Sequence, residues 1–145
     1  LIVALLVGGI PWWWSSRPSG DDGRPETDRR VERLGRPTIR LTKLPRPDWD
    51  HDAIGTIAGK VEGLQRPDLF RVVVYAYTDH WYVQPTVREA LTAIKPDGSW
   101  RSSTRFGTTY AALVVEASYE PRSQVEALPT GEEHVLAVEW TGGTR

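Results

Sequence analysis

One block of β-branched and aromatic residues runs from Arg71 to Tyr77 and is followed by a polar turn at residues 78–80. A second block, Trp81–Gln84, follows the turn, and Pro85 ends it because proline has no N–H to donate to a sheet ladder. This pattern predicts a β-hairpin at the centre of the fold.

Further short segments, apolar or alternating, lie between turn residues and predict more strands. The pair Asp97–Gly98 favours a tight turn, and we expect the strands on either side of it to pair with each other. Turn signals about every ten residues predict seven to nine strands in an antiparallel sandwich or barrel over residues 38–145. The additional segments are Thr38–Leu44, Ile54–Val61, Leu91–Ile94, Ser99–Arg105, Thr109–Ser118 and His134–Thr141.

The segment Thr109–Ser118 is long and apolar, which favours a central position in the sheet. We expect Trp81 to be buried against this strand. The other residues predicted for the core are Val72, Val74, Leu113, Val115 and either Val135 or Leu136.

The first fourteen residues have a different pattern, an uncharged apolar run that ends in Pro11 and three tryptophans. A bilayer-spanning helix needs about 20 residues, so we expect upstream residues to complete the span. Trp12, Trp13 and Trp14 are predicted to lie at the membrane interface, where amphipathic rings are favoured. A signal-peptide core and a buried strand are the alternatives for residues 1–14.

Residues 15–37 are rich in Pro, Gly, Arg and acidic side chains, a composition that does not order by itself in water. They are predicted to form an extended charged tether, in which one short helix fits from Pro25 to Leu34. Arg29, Arg30 and Arg33 are candidate partner-binding residues on that helix. A solvated charged face is the alternative.

The composition excludes several classes of function. The 145 residues carry a net charge of −1, which does not indicate a nucleic-acid footprint. Cysteine is absent, which removes disulfides, thiolate metal ligands and a cysteine nucleophile.

Candidate chemistry is sparse. Asp48, Asp50 and Asp52 have the spacing that opens a calcium loop, but Ala53 and Gly59 occupy the positions where an EF-hand needs glycine and a bidentate acid. A looser calcium site stays open. The three histidines are scattered, and no nucleophile elbow or phosphate loop is present. We therefore predict a non-enzymatic protein with no catalytic, cofactor or metal site.

Aromatic side chains are the most suggestive group. Tyr77 and Trp100 are predicted to be exposed partner-binding residues. Rows of aromatics can fill a core, anchor a protein interface or stack on sugar rings, and the pattern leaves these alternatives open.

Several segments together resemble a bacterial β-sandwich accessory module, Ig-like or carbohydrate-binding-like, that is found on secreted glycoside hydrolases and other envelope proteins. The resemblance covers about residues 57–140 and implies an Ig-like sandwich and a location outside the cytoplasm. It is carried by Gly59–Gly63, Arg71–Tyr75, Trp81–Pro85, Leu91–Ile94, Asp97–Trp100, Tyr110–Val114 and Leu128–Pro129.

These features favour a single-pass membrane protein with a periplasmic sandwich. The first hypothesis is a non-catalytic accessory subunit that stabilises a multi-subunit membrane complex for energy conversion, photosynthesis or secretion. Its partners would be the other subunits and the lipid bilayer, with no nucleic acid. The alternative is an envelope-anchored module that binds polysaccharide.

Overall fold

A computed structural model describes residues 35–46 and 52–141 of the chain. Two three-residue 3₁₀ turns, Pro67–Leu69 and Val87–Glu89, interrupt an otherwise all-β structure. The nine strands of the described residues are β1 (Thr38–Lys43), β2 (Gly55–Glu62), β3 (Phe70–Tyr77), β4 (Trp81–Gln84), β5 (Thr92–Ala93), β6 (Ser99–Thr104), β7 (Thr109–Glu116), β8 (Gln124–Val125) and β9 (Val135–Trp140).

The strands form two antiparallel sheets. The small sheet has the order β1-β2-β6, and the large sheet has the order β8-β4-β3-β7-β9, with β5 pairing the first part of β3. Every strand pair among the described residues is antiparallel. The predicted all-β antiparallel class is therefore confirmed, and the arrangement is consistent with an Ig-like sandwich. The predicted membrane helix and most of the tether lie outside the described residues.

The core between the two sheets follows from the period-two alternation of side chains along each strand. The even-numbered residues of β3 and β7 point towards the small sheet and meet apolar residues of β1, β2 and β6. The buried members of this core are Ile39, Ile57, Val61, Phe70, Val72, Val74, Ala76, Ile94, Trp100, Tyr110, Ala112 and Val114. This layer stabilises the sandwich, since burying one such aliphatic side chain contributes about 1.5–3 kcal/mol.

Gly59 and Trp100 form a close contact between β2 and β6 of the small sheet. The two residues are cross-strand partners in β2 and β6, and the Trp100 indole occupies the space where a side chain at Gly59 would lie. A Cβ at Gly59 would come within 2.7 Å of the indole and 2.0 Å of the Arg40 carbonyl oxygen. The absence of a side chain therefore lets the ring lie flat over the strand.

The predicted pairing across the Asp97–Gly98 turn is wrong. The turn itself forms, with Gly98 at φ +86° and the Gly98 N–H donating to the Lys95 carbonyl oxygen at 2.8 Å. However, β5 before the turn pairs with β3, whereas β6 after it pairs with β2. The turn thus carries the chain from the large sheet to the small one, because Trp100 is accommodated opposite Gly59 on β2.

The predicted central hairpin is confirmed by β3 and β4, which pair through Tyr77 opposite Trp81. The central position of β7 is confirmed as well, because it lies between β3 and β9. Trp81 differs from its prediction, since it is only partly buried. Its side chain points to the outer face of the large sheet and not into the space between the sheets.

Candidate functional site

The outer face of the large sheet, which is the face turned away from the small sheet, carries a second apolar cluster. The odd-numbered residues of β3 and β7 point this way. A long segment between β7 and β9, residues 117–134, lies over them and is called the covering loop below. The buried residues of this cluster are Val73, Tyr75, Val83, Ala90, Ala111, Leu113, Val115 and Tyr119. Because both faces of β3 and β7 are covered, these strands are apolar almost throughout.

The covering loop is held to the sheet by backbone hydrogen bonds. The Val83 N–H of β4 donates to the Ser123 carbonyl oxygen at 3.0 Å, and the Glu116 N–H of β7 donates to the His134 carbonyl oxygen at 3.1 Å. Within the loop, the Tyr119 hydroxyl donates to Glu132 Oε2 at 3.2 Å. Beneath the loop, burial raises the pKa of the Tyr75 hydroxyl, and the neighbouring Tyr119 and Glu132 raise it further. Tyr75 therefore stays neutral and serves as part of the support under the loop.

The loop leaves one end of the outer face open, and an aromatic cleft lies there. The cleft has a volume of about 380 Å³ and is lined by Trp81 of β4, Trp140 of β9 and residues 126–128 and 130 of the covering loop. Trp140 is 39% exposed, and Trp81 is half-buried. We call this feature the tryptophan cleft. Its two indoles come from strands at opposite sides of the sheet, separated by β3 and β7.

Tyr77 supports the Trp81 side of the cleft. The two residues are cross-strand partners, their ring centroids lie 5.1 Å apart and their planes are inclined by 57°. Tilted contacts of this kind are favourable between aromatic rings. The tilt also means that the aromatic rings on this side do not form one flat surface.

The charge at the tryptophan cleft is low. Glu126 is the only charged residue that lines it in the described part of the chain, and the Thr130 side chain adds a hydroxyl group. Both residues are exposed. The cleft thus combines two apolar indoles with one carboxylate and one hydroxyl group at its rim.

The tryptophan cleft lies at the end of the sandwich opposite to the point where residue 35 leads into β1. Thr38 of β1 lies opposite Glu62, the last residue of β2, and the short connection to Phe70 places the start of β3 at this same end. Tyr77, at the other end of β3, pairs with Trp81. β3 has eight residues, so its two ends lie roughly 23 Å apart.

A larger hollow, of about 420 Å³, lies on the other side of β4 and is mainly apolar. Its buried polar side chain, Gln84, is already paired. Gln84 Oε1 accepts from the Arg105 N–H at 2.9 Å, and Gln84 Nε2 donates to the Tyr82 carbonyl oxygen at 3.2 Å. Gln84 therefore ties β4 to the segment after β6 and has little capacity left for a ligand.

The other polar contacts are structural. Glu116, buried at the end of β7, lies with Oε2 2.5 Å from His134 Nδ1. Among residues 35–46 and 52–141, no three His, Asp or Glu side chains are grouped to hold a metal ion. Of the three aspartates of the possible calcium loop, Asp52 lies within these residues, whereas Asp48 and Asp50 lie outside them.

The structure separates the two aromatic residues predicted to bind a partner. Tyr77 is half-exposed beside the tryptophan cleft. Trp100 is only 2% exposed, so its predicted role as an exposed partner-binding residue is wrong. Trp100 lies on the core face of β6 because Gly59 leaves room for its indole.

The remaining predicted site residues, Trp12, Trp13, Trp14, Arg29, Arg30 and Arg33, lie outside the described residues. In the described part, no helix is long and apolar enough to cross a bilayer.

Sequence reasoning did not predict that Trp81 and Trp140 line one cleft. Trp140 ends the last strand, and its alternation with Val138 signals that both side chains share a face. The register that brings it to the outer face, Trp140 opposite Ala111, is a property of the paired strands alone.

The protein is therefore an antiparallel β-sandwich that carries an aromatic cleft open to solvent. No family model, curated protein or solved structure matches the chain.

Proposed function

We propose that the protein is a non-catalytic, membrane-anchored accessory module whose β-sandwich binds a partner outside the membrane. The observation that carries the proposal is the tryptophan cleft, which lies at the end of the sandwich remote from the chain entry. Exposed tryptophan and tyrosine are costly to leave in water and are enriched where proteins bind their partners. The cleft therefore lies away from the point where the described chain enters β1.

The N-terminal segments give the proposal its location. Residues 1–14 act as the membrane helix, with Trp12 to Trp14 at the interface, and the tether separates the sandwich from the bilayer. Fully extended, the tether of residues 15–37 reaches at most about 80 Å. The sandwich is therefore confined to the layer next to the membrane, in the periplasm if the orientation follows the resemblance to secreted modules.

The first partner we propose is another subunit of a membrane complex for energy conversion, photosynthesis or secretion. Arg29, Arg30 and Arg33 supply charged contacts from the tether, and the sandwich braces a soluble surface of the complex. The arginine fork suits bidentate contacts with partner carboxylates. The second candidate, an envelope polysaccharide, is favoured by the composition of the tryptophan cleft.

Fractionation and co-purification test the anchor and the tether. The full chain should sediment with membranes, and deletion of residues 1–36 should release it and abolish stoichiometric co-purification of other subunits. Replacing Arg29, Arg30 and Arg33 together by alanine should reduce the recovered partner while the protein stays membrane-bound.

A matched control is the triple alanine variant at Arg88, Arg101 and Arg122, three exposed arginines of the sandwich. It removes the same charge and should leave recovery unchanged. Equal loss from both triple variants would show that total charge matters and would remove the docking role of the tether. Stoichiometric recovery after deletion of residues 1–36 would contradict the whole arrangement.

A further inference from the structure

We propose that the tryptophan cleft binds a single chain of a neutral, pyranose-containing glycan. The inference rests on the proposed function as a non-catalytic binding module and assigns a ligand class to its cleft.

The shape of the cleft selects a small or thin ligand. Its volume of about 380 Å³ lies within the about 300–1,000 Å³ typical of small-molecule sites. Two indoles from β4 and β9 line the cleft, and the covering loop contributes the rest of the lining. The 57° angle between Trp81 and Tyr77 rules out a flat platform on this side. A single glycan chain fits such a cleft, whereas the planar surface of a crystalline polysaccharide does not.

The chemistry of the cleft matches a sugar ring. A pyranose has apolar C–H faces and a rim of hydroxyl groups, so it can stack on an indole face while its edge makes hydrogen bonds. Trp81 and Trp140 provide the indoles, and the Glu126 carboxylate and the Thr130 hydroxyl provide an acceptor and a mixed donor and acceptor. A purely apolar ligand would make no hydrogen bond with the Glu126 carboxylate or the Thr130 hydroxyl.

The charge of the cleft argues for a neutral glycan. Glu126 is the only charged residue lining it in the described residues, and its carboxylate would repel the acidic groups of a uronate or a sulfated polymer. A neutral glycan avoids this repulsion and can donate hydroxyl groups to the carboxylate.

The surrounding surface favours a glycan at this cleft, which leaves contacts with another subunit to the tether and to other surfaces of the sandwich. A stable protein interface of ordinary size covers about 800 Å² on each partner, with a core of several apolar side chains. Trp140 is the only one of the exposed large apolar residues in the described part that lines the cleft. The others are Leu44, Ile54, Leu69, Val87 and Leu91.

The test is calorimetric titration of the full chain with cellohexaose, xylohexaose, mannohexaose and the hexamer of N-acetylglucosamine. The detergent must lack a sugar headgroup, because a glucoside or maltoside would compete for the cleft. Polygalacturonate serves as the acidic glycan and a proline decapeptide as a protein-like ligand for an aromatic groove. We expect at least one neutral oligosaccharide to bind and the acidic glycan and the peptide not to bind.

Variants assign the binding to the cleft. Trp81→Ala and Trp140→Ala should each weaken the binding by about tenfold or more. A tenfold loss of affinity corresponds to about 1.4 kcal/mol, which is within the range for stacking on one aromatic ring. Trp140→Phe, which keeps a ring, should retain most of the affinity. Leu91→Ala removes an exposed apolar side chain elsewhere and should change nothing. Circular dichroism identifies any variant that fails to fold.

Fluorine NMR gives a second readout. The chain has seven tryptophans, so 5-fluorotryptophan labelling resolves several lines, and the lines absent from Trp81→Phe and Trp140→Phe identify the two cleft residues. Both lines should shift with the bound oligosaccharide. Absence of binding to all four oligosaccharides at millimolar concentration overturns the inference, as does affinity that survives both alanine substitutions or binding of only polygalacturonate or the peptide. Co-purification with a membrane complex in that case leaves the proposed function intact.

Discussion

Gly59→Ala tests the close packing of Trp100 against β2, because the added methyl group would contact both the Arg40 backbone and the Trp100 indole. Its Cβ would lie 2.0 Å from the Arg40 carbonyl oxygen and 2.7 Å from the Trp100 indole. Both distances are far inside van der Waals contact, and neither neighbour is free to move. Arg40 contributes backbone to the β1–β2 ladder, and Trp100 is only 2% exposed within the core.

The expected cost follows from these contacts. Overpacking of a well-filled core usually costs about 1–3 kcal/mol, and a clash that involves backbone as well as a buried ring falls at the upper end. We therefore expect a loss of about 3 kcal/mol in the free energy of unfolding. For a domain of about 100 residues, this loss lowers the Tm by about 12–24 °C.

Gly131→Ala is the matched control, since a Cβ at Gly131 meets no atom within 4 Å. Because alanine restricts the unfolded chain more than glycine does, this variant should be neutral or more stable by at most about 1 kcal/mol. Thermal and urea unfolding, followed by circular dichroism and tryptophan emission on the full chain, measure both variants. A difference of less than about 0.5 kcal/mol between the two would refute the close approach of Trp100 to β2.

Two further predictions concern polar contacts. Gln84→Leu leaves the partly buried Arg105 N–H without its acceptor, so we expect a loss of about 1 kcal/mol in urea unfolding. Gln65→Leu, at an exposed position, should cost less than about 0.5 kcal/mol, and equal effects would contradict the role of Gln84. The Thr78 hydroxyl, followed by other donors, holds the pKa of Asp79 at about 2, so carbon-13 NMR should find Thr78→Val shifting it up towards about 3.9. Because the folded-state pKa is the lower one, the stabilising contribution of Asp79 is complete above about pH 4 and is lost as the pH falls towards 2. An unchanged Asp79 pKa in Thr78→Val would contradict this assignment.

Most of the strands were predictable because their signals are local. The β-branched block of β3, the polar turn after it and the apolar run of β7 each depend on a few adjacent residues. The Asp97–Gly98 turn was also predictable, since its positive φ is a property of glycine itself. Residues 1–14 and the tether give equally local signals, and the membrane helix and the docking arginines stay predictions.

The pairing of strands was not predictable in the same way. β5 and β6 flank a good hairpin turn, yet they join different sheets because β2 offers Gly59 to the Trp100 indole. A turn sequence determines the direction of the chain over four residues, but long-range packing determines which strand it meets next.

The sequence by itself determined an antiparallel β domain with a polar hairpin turn, a central apolar strand and several aromatic side chains. Only the tertiary structure decided what each aromatic does. An alternating strand presents both faces equally, so its sequence does not say which face is covered. Gly59 and the small sheet cover Trp100, whereas the covering loop leaves Trp81 half-buried and Trp140 exposed in the cleft that it lines with them. The cleft exists because strand register brings these two indoles, distant in the chain, to the same open end of one face.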